Sequence, residues 1–157
     1  MSNHSLEDKL DAVYQSGGDR DRQDMVYDQW ARDYDQDLWA SGNPYIALMA
    51  GMVGRHVPDK DSRILDAGCG TGNMAQLLAA IGYKNIVGID ASQGMLDVAK
   101  TKGCYREVHQ MWFSDKIKTL EKNGAWILKD QSDRFRTYPF SEQYEDLRHW
   151  IYVYSKV

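Results

Sequence analysis

The sequence predicts an α/β fold built on a parallel, Rossmann-like sheet, and three observations lead to that prediction. The short apolar run Ile64-Leu65 ends at the acidic residue Asp66, and after Ala67 the chain has glycines at positions 68, 70 and 72. The segment that follows, residues 74–81, is rich in good helix formers. A second apolar run ends at Asp90 and is again followed by a helical pattern. Strands that alternate with helices indicate parallel pairing through crossover connections.

Length and composition narrow the class of protein. A chain of 157 residues is predicted to form one domain with a sizeable core. It carries 19 Lys and Arg against 23 Asp and Glu, a net charge of −4, so we expect no nucleic-acid partner. No apolar run is long enough for a membrane span, and the first residues do not resemble a secretory signal. Two cysteines make neither a disulfide framework nor a zinc site, so a cytoplasmic protein without metal is expected.

The N-terminal part, residues 1–58, is predicted to contain three helices that cover the site. The first spans residues 5–16 and is capped by Ser5 with Asp8 as its capping-box partner. The second spans roughly residues 22–38 and carries one apolar stripe at helical spacing. The third begins at the Asn43-Pro44 pair, with Asn43 as its N-cap.

The central part, residues 59–111, is predicted to be a βαβαβ unit. After a polar turn its elements are expected to be a strand that ends near Ala67, a helix over residues 74–81, a strand over 85–90, a helix over 92–102 and a strand over 105–111. Ser92 is a good N-cap for the second helix, and Gly103 ends it.

The glycine loop, residues 68–72, indicates the kind of ligand. A phosphate-binding P-loop requires a lysine, and this loop has none. The dinucleotide fingerprint requires glycine at its sixth position, where this chain has Asn73. Asp66 would repel a pyrophosphate but would suit a cation. We therefore expect a nucleoside-like ligand without phosphates that carries an amine or a sulfonium.

Residues 66–72, Asp-Ala-Gly-Cys-Gly-Thr-Gly, resemble the glycine-rich first motif of class I S-adenosylmethionine-dependent methyltransferases. Asp90 ends the second strand 22 positions after Gly68, close to the spacing of a ribose-binding acid. The segment that follows, residues 91–96, is similar to the one that frames the adenine in this family. The resemblance implies S-adenosyl-L-methionine as the cofactor.

A second resemblance lies in the N-terminal part. Residues 27–35 are similar to the Tyr-Asp-x-x-Ala-x-x-Tyr-Asp segment of many small-molecule methyltransferases, whose helix often covers the cofactor. The alternative to a cofactor contact is that the aromatic residues of this segment pack on a sheet. In the glycine loop, Cys69 is interpreted as a small packing residue. No catalytic residue is predicted. The cofactor-binding residues that the resemblance implies are Tyr27, Tyr34, Asp66, Gly68, Cys69, Gly70, Gly72, Asn73, Asp90, Ala91 and Met95.

The tail, residues 112–157, departs from the family pattern. A fourth parallel strand and a Pro-Gly-Gly-like turn into a fifth are not recognisable. A helix over residues 114–123 and strands over 125–138 and 149–155 are expected instead. They resemble the late helix and antiparallel strand pair that close the family's sheet, most like the Williams–Beuren syndrome region methyltransferase-like group. We therefore expect a shortened sheet without its middle block, through a splice form, an engineered deletion or a natural loss.

The missing block leaves both the assembly and the function open. The edge of the first strand would be unpaired, unless the C-terminal pair closes on it or a second chain covers it in a homodimer. Three functions are considered. They are methyl transfer to a small molecule, a cofactor-binding module without methylation, and cleavage or rearrangement that uses the same cofactor.

Overall fold

A computed structural model describes residues 5–112 and, beyond them, the backbone of four strands between residues 126 and 156. The helices are α1 Leu6–Gln15, α2 Arg20–Trp30, α3 Tyr34–Ala40, α4 Tyr45–His56, α5 Asn73–Ala80 and α6 Gln93–Thr101. The strands are β1 Ile64–Ala67, β2 Ile86–Asp90, β3 Glu107–Gln110, β4 Trp126–Gln131, β5 Phe135–Arg136, β6 Arg148–His149 and β7 Tyr152–Lys156.

The first three strands form the predicted parallel sheet, and their order in it is β1-β2-β3. Ile64 pairs with Ile86, and Val87 pairs with Glu107. The helices α5 and α6 make the two crossovers. Because all three strands run in one direction, their carboxyl ends lie at one edge of the sheet, where the glycine loop, Asp90 and Met111 come together.

One cluster of the core lies between the sheet and the helices α4 and α5. Its buried residues are Ala50, Met74, Ala75, Leu78, Tyr83 and Ile86. Tyr83 is the largest of them, and its hydroxyl donates a hydrogen bond to the Val57 carbonyl over 2.5 Å, so the polar end of this buried ring is satisfied. This packing fixes α5, and with it the glycine loop, on the sheet.

The second predicted helix is wrong as a single element. The chain leaves the helix after Trp30 and re-enters one at Tyr34, so α2 and α3 replace the continuous helix expected over residues 22–38. Part of the reason is tertiary: the Trp30 indole N–H donates to Asp37 over 2.7 Å, and Lys9 donates to the same carboxylate over 2.6 Å. Such contacts outweigh local helix propensity, which is a weak preference.

The helices α1 and α4 begin near the predicted N-cap residues, and the start of α4 differs by one residue. The capping box of α1 is confirmed, because Asp8 N–H donates to the Ser5 hydroxyl and Ser5 N–H donates to the Asp8 carboxylate. Helix α4 begins one residue later than expected, since Pro44 occupies the N-cap position. Asn43 nevertheless accepts a hydrogen bond from Tyr45 N–H over 2.9 Å, so its side chain still satisfies a donor at this helix start.

The strands after residue 125 pair with each other. Strand β4 pairs antiparallel with β7, and β5 pairs antiparallel with β6, each pair forming a separate two-stranded sheet. The single strand expected over residues 125–138 contains both β4 and β5. The helix expected over residues 114–123 lies outside the described residues. Among the strands that are described, none is hydrogen-bonded to the outer edge of β1.

Within the described residues, no helix has both the length and the apolar character that crossing a membrane requires.

Candidate functional site

A cavity of about 400 Å³ opens at the carboxyl ends of the parallel strands, beneath helix α2. Each strand of the sheet contributes to it through the residues that follow it or end it, and the N-terminal helices supply the opposite wall. The lining residues are Gln23, Asp24, Tyr27, Tyr34, Gly68, Gly70, Asp90, Ala91, Ser92, Met95, Met111 and Trp112.

The glycine loop turns two of its glycines to this cavity. Gly68 and Gly70 have φ values of +74° and +52°, in the left-handed region that favours glycine. A Cβ atom added at either position would meet no atom within 4 Å. The loop backbone is therefore open to close approach by a ligand at these two positions.

The third glycine of the loop is required by packing instead. A Cβ atom at Gly72 would lie 2.8 Å from the Tyr105 ring, and one at Gly88 would lie equally close to the same ring. The ring fits between the loop and β2 because both residues lack a side chain. The Tyr105 hydroxyl then reaches Asp66 and donates a hydrogen bond to Oδ2 over 2.6 Å.

Asp66 is not among the residues that line the cavity, although the sequence predicted a carboxylate beside a cationic ligand. Its side chain is buried, and burial raises its pKa, as does the charge of Asp90, against the lowering effect of the Tyr105 hydrogen bond. Cys69 is also buried behind the loop, and burial above all raises the pKa of its thiol to about 12. Such a thiol is protonated at neutral pH and behaves as a packing group.

Asp90 lies at the cavity with both carboxylate oxygens anchored. Gly70 N–H donates to Oδ2 over 2.8 Å, and Ser92 N–H donates to Oδ1 over 2.9 Å. A carboxylate oxygen can accept two hydrogen bonds, so each oxygen retains acceptor capacity toward the cavity. The arrangement ties the glycine loop to the end of β2 and leaves a carboxylate able to bind a pair of hydroxyl groups.

The aromatic residues of α2 and α3 form the wall opposite the loop. Tyr27 stacks on Trp30 with ring centroids 6.2 Å apart, and Trp30 meets Tyr34 edge-on at 4.8 Å. Tyr27 and Tyr34 both line the cavity. Burial, followed by the negative charge of Asp90, raises the pKa of Tyr27. Its hydroxyl therefore stays protonated at neutral pH and can donate a hydrogen bond.

Asp28 fastens α2 to the start of α6. Its Oδ1 accepts hydrogen bonds from the Ser92 hydroxyl over 2.5 Å and from Gly94 N–H over 2.8 Å. A carboxylate at a helix N-terminus is favoured by the helix dipole. A Cβ atom at Gly94 would lie 2.9 Å from the Asp28 backbone, so glycine is needed for this close approach.

Asp35 fastens α3 to the glycine loop. Its Oδ1 accepts hydrogen bonds from the Thr71 hydroxyl over 2.5 Å and from the Asn73 amide over 2.7 Å. Its Oδ2 lies 2.7 Å from Lys102 Nζ, which also donates to Asn73 Oδ1 over 2.6 Å. Burial alone would raise the Asp35 pKa, but the Lys102, Thr71 and Asn73 side chains together hold that pKa below its usual range. Asp35 thus stabilises the glycine loop through contacts that lie outside the cavity.

We expect Asp35→Ala to lower the free energy of unfolding by about 1–2 kcal/mol, because it leaves the part-buried Lys102 ammonium without its carboxylate partner and with the Asn73 amide oxygen instead. Urea unfolding measures this. Since the folded-state pKa of Asp35 lies below its ordinary 3.8, the stabilisation is present above that value and is lost as the pH falls through the lowered pKa. The difference in the free energy of unfolding between the unaltered chain and Asp35→Ala should therefore disappear at acidic pH.

Asp97→Ala is the matched control for this prediction. It removes an exposed carboxylate that pairs with Lys100 on the same helix, and exposed pairs contribute little. Equal destabilisation by the two substitutions would contradict the bracing role of Asp35.

The structure brings together seven of the eleven residues predicted to bind the cofactor. These are Tyr27, Tyr34, Gly68, Gly70, Asp90, Ala91 and Met95. The other four, Asp66, Cys69, Gly72 and Asn73, support the loop from behind or beside it. Among the described residues, no group of three or more potential metal ligands is found.

Several residues of the site were missed by sequence reasoning. Asp28 and Asp35 belong to the quoted Tyr-Asp-x-x-Ala-x-x-Tyr-Asp segment, so their repeat at seven-residue spacing was a usable indication. Asp24 lies one helical turn before Asp28, on the same face of α2. Trp112 and Tyr105 gave no comparable indication, because an aromatic residue beside a predicted strand normally indicates core packing.

Comparison with known proteins agrees with the glycine-loop resemblance. Residues 64–126 match the family model described as a methyltransferase domain. Methyltransferase-like protein 27 of Homo sapiens is 38% identical over 84 residues, which cover 52% of this chain and 34% of that protein. A protein of Geobacillus sp. (strain WCH70), also named as a methyltransferase, is 33% identical over 104 residues, 62% of this chain and 39% of its own length.

Among solved structures, a TehB-like SAM-dependent methyltransferase from Corynebacterium glutamicum superimposes with a TM-score of 0.49 and 17% identity, over 81% of this chain and 98% of that one. The chain spans little more than a third of the length of the two relatives matched by sequence.

Proposed function

We propose that this chain is an S-adenosylmethionine-dependent methyltransferase that acts on a small molecule and binds its cofactor in the cavity beneath α2. The observation that carries the proposal is the Asp90 carboxylate, held at the cavity beside two glycines that are open to the ligand. The match of residues 64–126 to the methyltransferase domain supports it.

The lining residues fit such a cofactor in shape and in charge. Gly68 and Gly70 let the backbone approach the methionine arm, and Asp90 has acceptor capacity for both ribose hydroxyls. Ala91 and Met95 offer an apolar surface for the base. Among the described residues of the lining, the charged ones are Asp24 and Asp90, and both are acidic. Such a lining suits a ligand that carries a sulfonium and an ammonium group.

The chemistry makes modest demands on the protein. S-adenosylmethionine supplies a methyl group already activated by its bond to a sulfonium. The chain must hold the acceptor in line with that bond and exclude water. Tyr27 and Tyr34 are the side chains of α2 and α3 best placed for this, since they close the cavity opposite the glycine loop. Because Tyr27 remains protonated, its role is to orient an acceptor by hydrogen bonding.

A small acceptor is favoured by the charge of the site. A nucleic-acid acceptor would bring phosphates against Asp24 and Asp90, with no cationic side chain among the lining residues that the structure describes to balance them. A neutral or cationic small molecule meets no such repulsion.

Turnover with methyl-labelled cofactor and a fractionated pool of small metabolites tests the proposal. We expect label to appear in one acceptor and S-adenosylhomocysteine to form in equal amount. Binding of the cofactor without transfer to any fraction would contradict the enzymatic function and favour a binding module. Breakdown of the cofactor without an acceptor would favour its cleavage.

The binding-module alternative has one specific observation in its favour. In the doubly wound sheet that the resemblance implies, the first strand is central and covered on both sides. Here β1 pairs only with β2 among the described strands. This agrees with the proposed loss of the fourth and fifth strands, which would remove one wall of the usual acceptor site.

The open edge of β1 also underlies the proposal of a homodimer in which a second chain covers that side of the sheet. Leu65, at the middle of β1, is 42% exposed, which is unusual for the first strand of a parallel sheet. A stable interface buries roughly 1,200–2,000 Å² in total. We expect Leu65→Glu to convert the dimer to a monomer, which light scattering would detect.

Ile81→Glu is the matched control for the homodimer, because Ile81 is similarly exposed, at 44%, but lies at the end of α5. A chain that is monomeric at micromolar concentration before any substitution would contradict this proposal.

A further inference from the structure

Asp24 is a carboxylate of the cavity that contributes negative charge but has no assigned contact with the proposed cofactor. It lies on α2 and lines the cavity opposite the strand ends. Its Oδ1 is shielded from solvent and has no hydrogen-bond partner in the described part of the chain. A buried carboxylate oxygen without a donor is costly. The cost is removed if a ligand in the cavity brings a donor to it.

Asp24 lies near Trp112, the second residue after β3. Trp112 lines the cavity beside Asp24 and acts to lower the pKa of its carboxyl, against the larger raising effect of burial. Arg20, one helical turn earlier on α2, lies over the Trp112 ring at 5.1 Å. Two residues of α2 are therefore neighbours of Trp112. Asp24 is thereby placed at the β3 side of the cavity and not at the glycine loop.

The strand order indicates which part of the ligand lies at the β3 side of the cavity. The glycine loop follows β1, Asp90 ends β2, and Met111 and Trp112 follow β3. A nucleoside whose ribose is bound by Asp90 must extend toward β1 in one direction and toward β3 in the other. The β1 side offers open backbone, whereas the β3 side offers the side chains of Met111 and Trp112. A flat base fits the second side.

We propose that Asp24 accepts a hydrogen bond from the exocyclic amino group of the adenine base and so selects a 6-aminopurine. This inference rests on the proposed cofactor. An amino group is the donor that adenine presents outside its ring, and a carboxylate is a pure acceptor. A base with a carbonyl oxygen at the same position would face the carboxylate oxygen without a proton between them.

The test compares two ligands by calorimetry with the full chain: S-adenosylhomocysteine, and S-inosylhomocysteine, in which an oxygen replaces the amino group. We expect the unaltered chain to prefer the adenosyl compound by about tenfold or more, as hydrogen bonds to charged groups allow. In Asp24→Ala the ratio of the two dissociation constants should fall close to one. Asp21→Ala, which removes an exposed carboxylate of the same helix outside the cavity lining, should keep the preference.

Asp24→Asn is a second variant that keeps the shape of the side chain. Its amide both accepts and donates hydrogen bonds, so it should bind the two compounds with similar affinity. A preference that is unchanged in both Asp24 variants would overturn the assignment while leaving the cofactor site intact. Failure of the unaltered chain to bind either compound would overturn the proposed cofactor, and this inference with it.

Discussion

Gly70→Val should abolish binding of S-adenosylhomocysteine, a loss of at least about a hundredfold in affinity. Gly70 has a φ of +52°, and the space above it is open to the cavity. A valine there would fill the space that the ligand needs, and a β-branched residue is poorly tolerated in the left-handed region. Calorimetric titration measures the loss. The backbone strain should also lower stability by roughly 1–2 kcal/mol.

A matched glycine separates the loss of binding from the loss of stability. Gly103, at the end of α6, has a similar φ of +63° and equally open surroundings, but it does not line the cavity. Gly103→Val should therefore be destabilised to a similar extent and bind the ligand normally. If Gly70→Val also binds normally, the glycine loop is not the cofactor site.

Asp90→Ala should weaken binding of S-adenosylhomocysteine by about tenfold or more, because hydrogen bonds to a charged acceptor contribute about 1.5–3 kcal/mol. The substitution also removes the acceptor for Gly70 N–H and Ser92 N–H. Some loosening of the glycine loop is thus part of the expected effect. Calorimetry measures the affinity, and thermal unfolding of the same samples shows whether the fold persists.

Asp97→Ala serves as the control for Asp90→Ala, since it removes an exposed carboxylate of α6 that does not line the cavity. Its affinity should equal that of the unaltered chain. An unchanged affinity in Asp90→Ala would contradict the assignment of Asp90 as the residue that binds the ribose.

The parallel sheet and its loop could be predicted because local sequence and tertiary structure agree there. The run that ends at Asp66, the glycines after it and the helix formers that follow leave few alternatives to strand, turn and helix. Asp90 was found in the same way, at the end of a second strand. These strands, the loop and the helices are determined mainly by residues close in sequence, so hydrophobic periodicity and residue spacing predict them.

The supporting residues could not be predicted because their partners are distant in sequence. Tyr105 meets Asp66 across 39 positions, and Asp28 meets Gly94 across 66. Asp66 is an example. Its place before the glycines suggested a cationic ligand beside it. In the structure its carboxylate accepts a hydrogen bond from the Tyr105 hydroxyl. The break between α2 and α3 has the same origin, since Trp30 and Asp35 contact distant groups that a helical pattern does not reveal.

The central claim is that the cofactor lies across the carboxyl ends of the three parallel strands. Backbone amide chemical shifts, recorded while S-adenosylhomocysteine is added to the full chain, test it most directly. We expect the amides of Gly68, Gly70 and Ser92 to move together and to saturate with one dissociation constant, because they lie at the cavity around Asp90. A second cavity, of about 480 Å³, lies between α3, α4 and α5 and is lined by Gly42 and Leu77. Shifts confined to that cavity, or no shifts at millimolar ligand, would contradict the claim.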